Sequence, residues 1–157
     1  MDISELPVVR FARPDDWPAV AGLLVELGRG VAEGTADDPT HQIQFAGHIR
    51  RLETVTLVAE MEGRVAGVLD MEYHQRLGDH RPQARVHDVV VTEGSRQTGV
   101  GRALLGRAEE LARKRGCFRM TLVTANWRDF AHRFYLKHGW DDYGKWFVKN
   151  LLGPESA

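Results

Sequence analysis

The sequence runs to 157 residues with a formal net charge of −1, 43% apolar and 27% charged residues. That length suits one domain able to bury its own core, and the composition excludes a disordered chain. The near-neutral charge excludes a global basic field that would draw the protein onto nucleic acid or an anionic membrane, so any polyanion site must be local.

The one cysteine, Cys117, excludes an internal disulfide and any Cys-rich metal site. The longest apolar run, Ala19 to Val25, is far short of a membrane span, and the acidic start lacks a secretory peptide's basic region. The expectation is a cytoplasmic protein with neither anchor nor export signal.

Val8 to Arg13 reads as a short strand, and Pro14 with Asp15 and Asp16 suits the first turn of a helix. Trp17, Val20, Leu24 and Leu27 then recur at helical spacing until Gly28-Arg29-Gly30. Gly30 to Thr40 is rich in Gly and Asp and reads as a loop, after which Ile43, Ala46, Ile49 and Leu52 predict a second helix. Val55, Leu57, Ala59 and Met61 alternate up to a Glu62-Gly63-Arg64 turn, and Val65, Leu69, Met71 and Tyr73 alternate beyond it, which predicts an antiparallel hairpin.

Leu77 to Gln83 is a polar connector, and Ala84 to Thr92 ends in Val89-Val90-Val91, a run typical of a central strand. Val100, Leu104, Ala108 and Leu111 form one helical face, with Glu109–Arg113 and Glu110–Lys114 as outer i,i+4 pairs and Gly116 as the stop. Phe118 to Thr124 alternates as a strand, and Arg128 to His138 is helical with Phe130 and Phe134 on one side, ending at Gly139-Trp140. Tyr143 to Lys149 reads as a final β segment. The order β-α-α-β-β-β-α-β-α-β predicts an α/β chain of the α+β type, a single domain over 1–157 with its core at about 8–149. Its mixed sheet has one clear parallel unit, strand four to strand five through helix three.

The chemistry concentrates in Val86 to Arg102, where a buried strand breaks into a glycine-bearing loop and opens an amphipathic helix. Unpartnered N–H groups at a helix N-terminus, reinforced by the helix dipole, can dock a pyrophosphate on main chain alone. Gly99 and Gly101 let an anion approach without a Cβ in the way, and Arg96 and Arg102 can add charge-assisted contacts. A nucleotide P-loop needs Lys-Ser or Lys-Thr where Arg102-Ala103 stands, and a dinucleotide fingerprint needs a glycine where Leu104 stands.

The remaining pattern, Arg96-x-x-Gly99-x-Gly101, resembles the acetyl-CoA signature Arg/Gln-x-x-Gly-x-Gly/Ala of the GCN5-related N-acetyltransferase (GNAT) family. Downstream, Asn126 followed by Phe134-Tyr135 and Gly139-Trp140 resembles the family's second motif, and the likeness covers about Val8 to Lys149. It implies a mostly antiparallel sheet splayed between strands four and five, with acetyl-CoA as co-substrate and an amine as acceptor. The pantetheine arm would lie along Val89, Val90 and Val91, and the pyrophosphate on Arg96, Gln97, Thr98, Gly99, Val100, Gly101 and Arg102. Asn126, Phe130 and Tyr135 would approach the distal arm and thiol, and a strand-four N–H, at Val89, would meet the oxyanion.

Attack by an amine requires a proton acceptor. In the arylalkylamine branch of the family a histidine in the place of His87 serves as base; the alternative is a histidine that only hydrogen-bonds at the start of its strand. Strict alternation puts His87 on the face of Val89 and Asp88 on the other, where it could hold a backbone group or bind substrate amine. Asp70 and Glu72 share a face of strand three, where by the resemblance family members often carry an acid that orients an amine or a water; the alternative is a solvated sheet face.

Tyr135 stands where the family carries the phenol that protonates the departing thiolate; its alternative is a core tyrosine packed behind Ala131. Phe130 and Phe134 also suit a core face. The remaining histidines are scattered without metal-site spacing, so no metal is expected. The resemblance leaves three readings open: a small-molecule amine N-acetyltransferase, a protein or peptide N-acetyltransferase working in an open groove, and a noncatalytic acyl-CoA-binding regulatory module. Family analogy adds a homodimer joined through Tyr143 to Lys149.

Overall fold

A computed structural model describes residues 6–28, 34–124 and 128–152. They fall into two compact units, 1–121 and 122–157. In chain order the first carries β1 (Val8–Phe11), α1 (Trp17–Leu27), α2 (Pro39–His48), β2 (Thr54–Met61), β3 (Arg64–His74), β4 (Gln83–Val91) and α3 (Val100–Arg115). β5 (Met120–Leu122) lies at the boundary, and α4 (Asp129–Lys137) belongs to the second unit. The sheet order is β1-β2-β3-β4-β5, antiparallel through the first four strands and parallel between β4 and β5. A three-residue β5 can flank only part of the nine-residue β4. Most of that edge of β4 therefore has no paired strand among the described residues.

The turn from β1 into α1 is fixed by Asp16, a buried acid. It accepts the Arg13 N–H at 2.7 Å and both ends of the Arg10 guanidinium at 2.8 Å, while Arg10 also donates to Glu60 on the neighbouring β2. Burial alone would raise the Asp16 carboxyl, but these donors together hold it below its usual value.

The β2–β3 hairpin turns on Glu62 and Gly63 at φ 52° and 75°, the positive values that primed hairpin turns require. A shift in register at Ala59/Glu60 then sets Leu57 opposite Leu69, Val58 opposite Val68 and Thr56 opposite Asp70. A second irregularity lies in the β3–β4 ladder. Asp70 faces Asp88 but Met71 faces Val86, so His87 is the extra residue of a β-bulge in β4.

Against one sheet face, α1 and α2 bury Trp17, Val20, Ala21, Leu23 and Phe45 on Val58, Val68 and Val90. By alternation Leu57, Leu69 and Met71, all but inaccessible, point to the other face, which α3 covers. There the helix comes so near the sheet that a Cβ on Gly67 would lie 2.8 Å from Val100 Cγ1, 3.0 Å from Leu104 Cδ1 and 3.1 Å from the Val90 carbonyl oxygen.

Several sequence expectations need adjustment. The inward residue of α2 is Phe45, whose ring lies 5.4 Å from that of Trp17, whereas Ile43 and Leu52 are exposed. Asp38 caps the Thr40 N–H, starting α2 at Pro39, and the helix ends before Leu52. On α3, Glu109 pairs with Arg113 at 2.7 Å as expected, but Glu110 pairs with Arg107 rather than Lys114.

Tyr143 to Lys149 is not a strand: it has no regular structure, and Tyr143, Trp146, Phe147 and Val148 are exposed. Alternation supplies a side-chain pattern, but a strand also needs a neighbour to take its N–H and C=O groups, and among the described residues no ladder includes this segment. No helix of the described residues is long and apolar enough to cross a membrane.

Gly67→Ala is expected to destabilise the protein by about 1–3 kcal/mol, the usual range for overpacking, because the added methyl must displace Val100, Leu104 or the β4 backbone. Denaturant unfolding measures this, and a midpoint equal to the parent's refutes the close approach.

Candidate active site

β4 ends at Val91 and the chain passes through a 3-10 turn, Glu93–Ser95, before α3 starts at Val100. Several bonds fix this loop from within. The Thr92 N–H reaches the Ala66 carbonyl at 2.8 Å, Arg96 Nε reaches the Val91 carbonyl at 3.2 Å, and the Thr98 hydroxyl donates to the Ser95 carbonyl. From α1, the Glu26 carboxylate accepts the Thr92 hydroxyl at 3.2 Å and the Glu93 N–H at 3.1 Å. Glu26 is a participant that sequence reasoning missed, since helical periodicity marks it only as an outer residue.

Gln97 and Gly99 both have positive φ, 65° and 91°, and Gly99 stands at the N-cap, where it offers no side-chain acceptor. The Ala103 N–H to Gly99 carbonyl bond opens the helix, so the N–H groups of Val100, Gly101 and Arg102 precede the first helical hydrogen bond. A Cβ on Gly101 would sit 3.6 Å from Val91 Cγ2, an ordinary contact, so internal packing does not require glycine there. The side chains of Arg96, Gln97, Thr98 and Arg102 are exposed beside this turn, whereas the Val100 side chain is buried under the helix and leaves only its backbone to the loop. Val90 likewise sends its side chain into the α1 core, so of the three valines only Val89 and Val91 carry half-buried side chains.

The bulge at His87 decides the polar part of the site. Strict alternation puts His87 on the face of Val89, and the structure corrects this: His87 Nε2 lies 3.3 Å from Glu72 Oε2, on the face that Glu72 shares with Asp70. An extra residue in one strand lets two successive side chains, His87 and Asp88, turn to the same side. Asp88 stands opposite Asp70 on that face. Asp70 Oδ1 accepts the Thr56 hydroxyl at 2.7 Å and pairs with His48 Nε2 at 2.9 Å. The α1–α2 face of the sheet thus carries three carboxylates and the His87 imidazole next to its apolar core, and His48 reaches it from the end of α2. Sequence reading left His48 among the scattered histidines. Among the described residues no three His, Cys, Asp or Glu side chains are grouped as metal ligands.

In the second unit, the Tyr135 ring meets Phe134 edge-on at 5.6 Å and Trp140 at 5.8 Å, and the Trp140 N–H bonds the Tyr135 carbonyl at 3.0 Å. Burial raises the Tyr135 phenol, with Arg128 opposing in part, so it stays protonated well above neutral pH. Phe130 is exposed on α4 rather than buried, and Asn126 lies outside the described residues.

Comparison with known proteins agrees with the sequence motifs. The chain is 27% identical over 150 residues to the aminoalkylphosphonate N-acetyltransferase of Salmonella typhimurium (strain LT2), covering 96% of this chain and 95% of that protein. Among solved structures, a transcriptional regulator from Bacillus halodurans C-125 superposes with a TM-score of 0.85 at 22% identity, covering 93% of this chain and all of the other. An acetyltransferase of Trypanosoma brucei gives 0.78 at 23% identity, with 93% and 100% covered. At such identities these two structures speak for the fold alone. The model of the Acetyltransferase (GNAT) family matches residues 19–140, most of the sequence and both of its signature regions. The chain belongs to the GNAT family and is an acetyl-CoA-dependent N-acetyltransferase.

Proposed function

We propose that the protein moves the acetyl group of acetyl-CoA onto the primary amine of a small molecule by direct attack, with His87 as general base and Tyr135 as general acid. The observation that carries this reading is the His87–Glu72 pair, 3.3 Å apart, on a sheet face that also holds Asp70 and Asp88. Three carboxylates on one face favour the amino end of an acceptor over any anionic group it carries. The Salmonella relative acts, by its name, on an aminoalkylphosphonate, a small molecule that carries an amine.

Glu72 at Nε2 favours the imidazole tautomer protonated there, which leaves Nδ1 to take the proton of the amine, directly or through a water. The freed amine attacks the thioester carbonyl, and a bond forms from nitrogen to the acetyl carbon. The negative charge that develops on the carbonyl oxygen calls for an N–H donor on the unpaired edge of β4, such as Val89. Collapse expels the CoA thiolate, which takes the Tyr135 proton, while the second proton of the acylated nitrogen leaves through water and restores the phenol; burial, which raises the phenol, keeps its proton available for the thiolate. Pyrophosphate on the loop from Arg96 to Arg102, held by the N–H groups of Val100, Gly101 and Arg102, accounts for a helix start without a side-chain cap and for a glycine at 101 that packing does not demand. The exposed apolar run from Tyr143 to Val148 supports a homodimer that covers it.

Three outcomes follow. Acetyl-CoA raises the melting temperature by mass action, and Gly101→Val, whose side chain intrudes on the anion, removes most of that rise. No shift with either acetyl-CoA or CoA in a folded sample refutes the pyrophosphate assignment. In an amine panel scored by thiol release, Tyr135→Phe lowers kcat by about 10² or more with acetyl-CoA Kd unchanged, and His87→Ala flattens the acidic limb of the pH profile. Full turnover in Tyr135→Phe with chemistry rate-limiting excludes the phenol as acid, and an intact acidic limb in His87→Ala moves the base elsewhere. Light scattering at assay concentration gives twice the chain mass; a monomer mass rules out the dimer.

A further inference from the structure

We propose that Asp70 anchors the acceptor's ammonium group and that Thr56 and His48 are positioning residues that present its carboxylate. This deepens the amine-acetyltransferase reading and rests on it. Asp70 Oδ1 takes two partners, the Thr56 hydroxyl at 2.7 Å from β2 and His48 Nε2 at 2.9 Å from the end of α2. Among the described residues Oδ2 takes none. Two partners on one oxygen fix the rotation of the carboxylate and leave the other oxygen's lone pairs for a cation.

The pair is placed where such a cation gains most. The Asp70 side chain is only 17% exposed, and Thr56 is buried, so a charge meeting Oδ2 is screened less than on an open surface. Val58 and Val68, the next residues on the same face of the two strands, belong to the buried apolar core, so one side of the acid is backed by apolar packing rather than by water. Asp88 across the ladder and Glu72 two residues along add negative potential on the same face, with His87 held against Glu72 for the proton. One carboxylate then holds the acceptor while the neighbouring pair deprotonates it, and the two tasks fall on adjacent inward positions of β3. Stability alone gives no reason to place an acid here, since an apolar pair at 56 and 70 would extend the core without a desolvation cost.

The test is a kinetic double-mutant cycle with the best amine of the panel. Thr56→Val and His48→Ala each raise the acceptor KM about tenfold, the scale of one hydrogen bond to a charged group, with the acetyl-CoA KM unchanged. Thr56→Ser keeps the hydroxyl and keeps parental kinetics. Asp70→Asn raises the acceptor KM at least as much, and adding Thr56→Val or His48→Ala to it changes nothing further. If Asp70→Asn does not fold, His48→Ala at its partly exposed helix end still decides: a raised acceptor KM with unchanged acetyl-CoA KM supports the proposal. Additive effects, parental acceptor KM in His48→Ala or Asp70→Asn, or Thr56→Ser behaving like Thr56→Val overturn it while leaving acetyl transfer intact. Absence of thiol release with every amine overturns the transfer reading, and this proposal with it.

Discussion

An antiparallel ladder with one extra residue on β4 determines which side chains share a face, and most of the chemistry depends on that count. From Val91 back to Asp88 the pairing with β3 is regular, and Val90 falls naturally into the core beneath α1. Past the bulge the parity is reset, so that Val86 still meets Met71 in the opposite core while His87 is released toward Glu72. A ladder without the bulge would have to choose between a buried Val86 and an outward His87. The extra residue allows both, at the cost of a local interruption in pairing, which is why such bulges suit places where a side chain must be re-aimed.

The same sheet positions the cofactor loop. β4 leads into it, β3 holds its first residue through Ala66, and α1 holds it from the side through Glu26. α1 is thereby shared: its early residues build the apolar core beside the acidic face, and its last turn supports the loop. Fixing loop and acidic face to one helix limits how far they can move relative to each other, a form of preorganisation that lowers the ordering cost of bringing two substrates together.

Much of this was legible in the sequence because it rests on local rules. The β4–α3 junction announces itself through valine run, glycines and amphipathic helix, and the hairpin through alternation around Glu62-Gly63. What stayed hidden depends on counts that alternation cannot supply. A single sequence does not show an unpaired residue in a strand, so alternation alone puts His87 on the face of Val89. Thr56 meets Asp70 only because the ladder slips at Ala59/Glu60, and His48 joins them because α2 packs through Phe45 rather than through Ile43. Tyr143 to Lys149 failed for the opposite reason: its pattern suits a strand, but pattern is a property of one segment and pairing is a property of two.

The tight contact beneath α3 has a consequence for how this sequence can vary. Position 67 on β3, position 100 at the first turn of the helix and position 104 one turn later share one small volume. A side chain gained at the first must be matched by one lost at the others, or the helix start that carries the loop is lifted from the sheet. In an alignment of relatives these three positions should therefore covary in size, with the summed volume held nearly constant, and a larger residue at 67 should accompany a smaller one at 100 or 104.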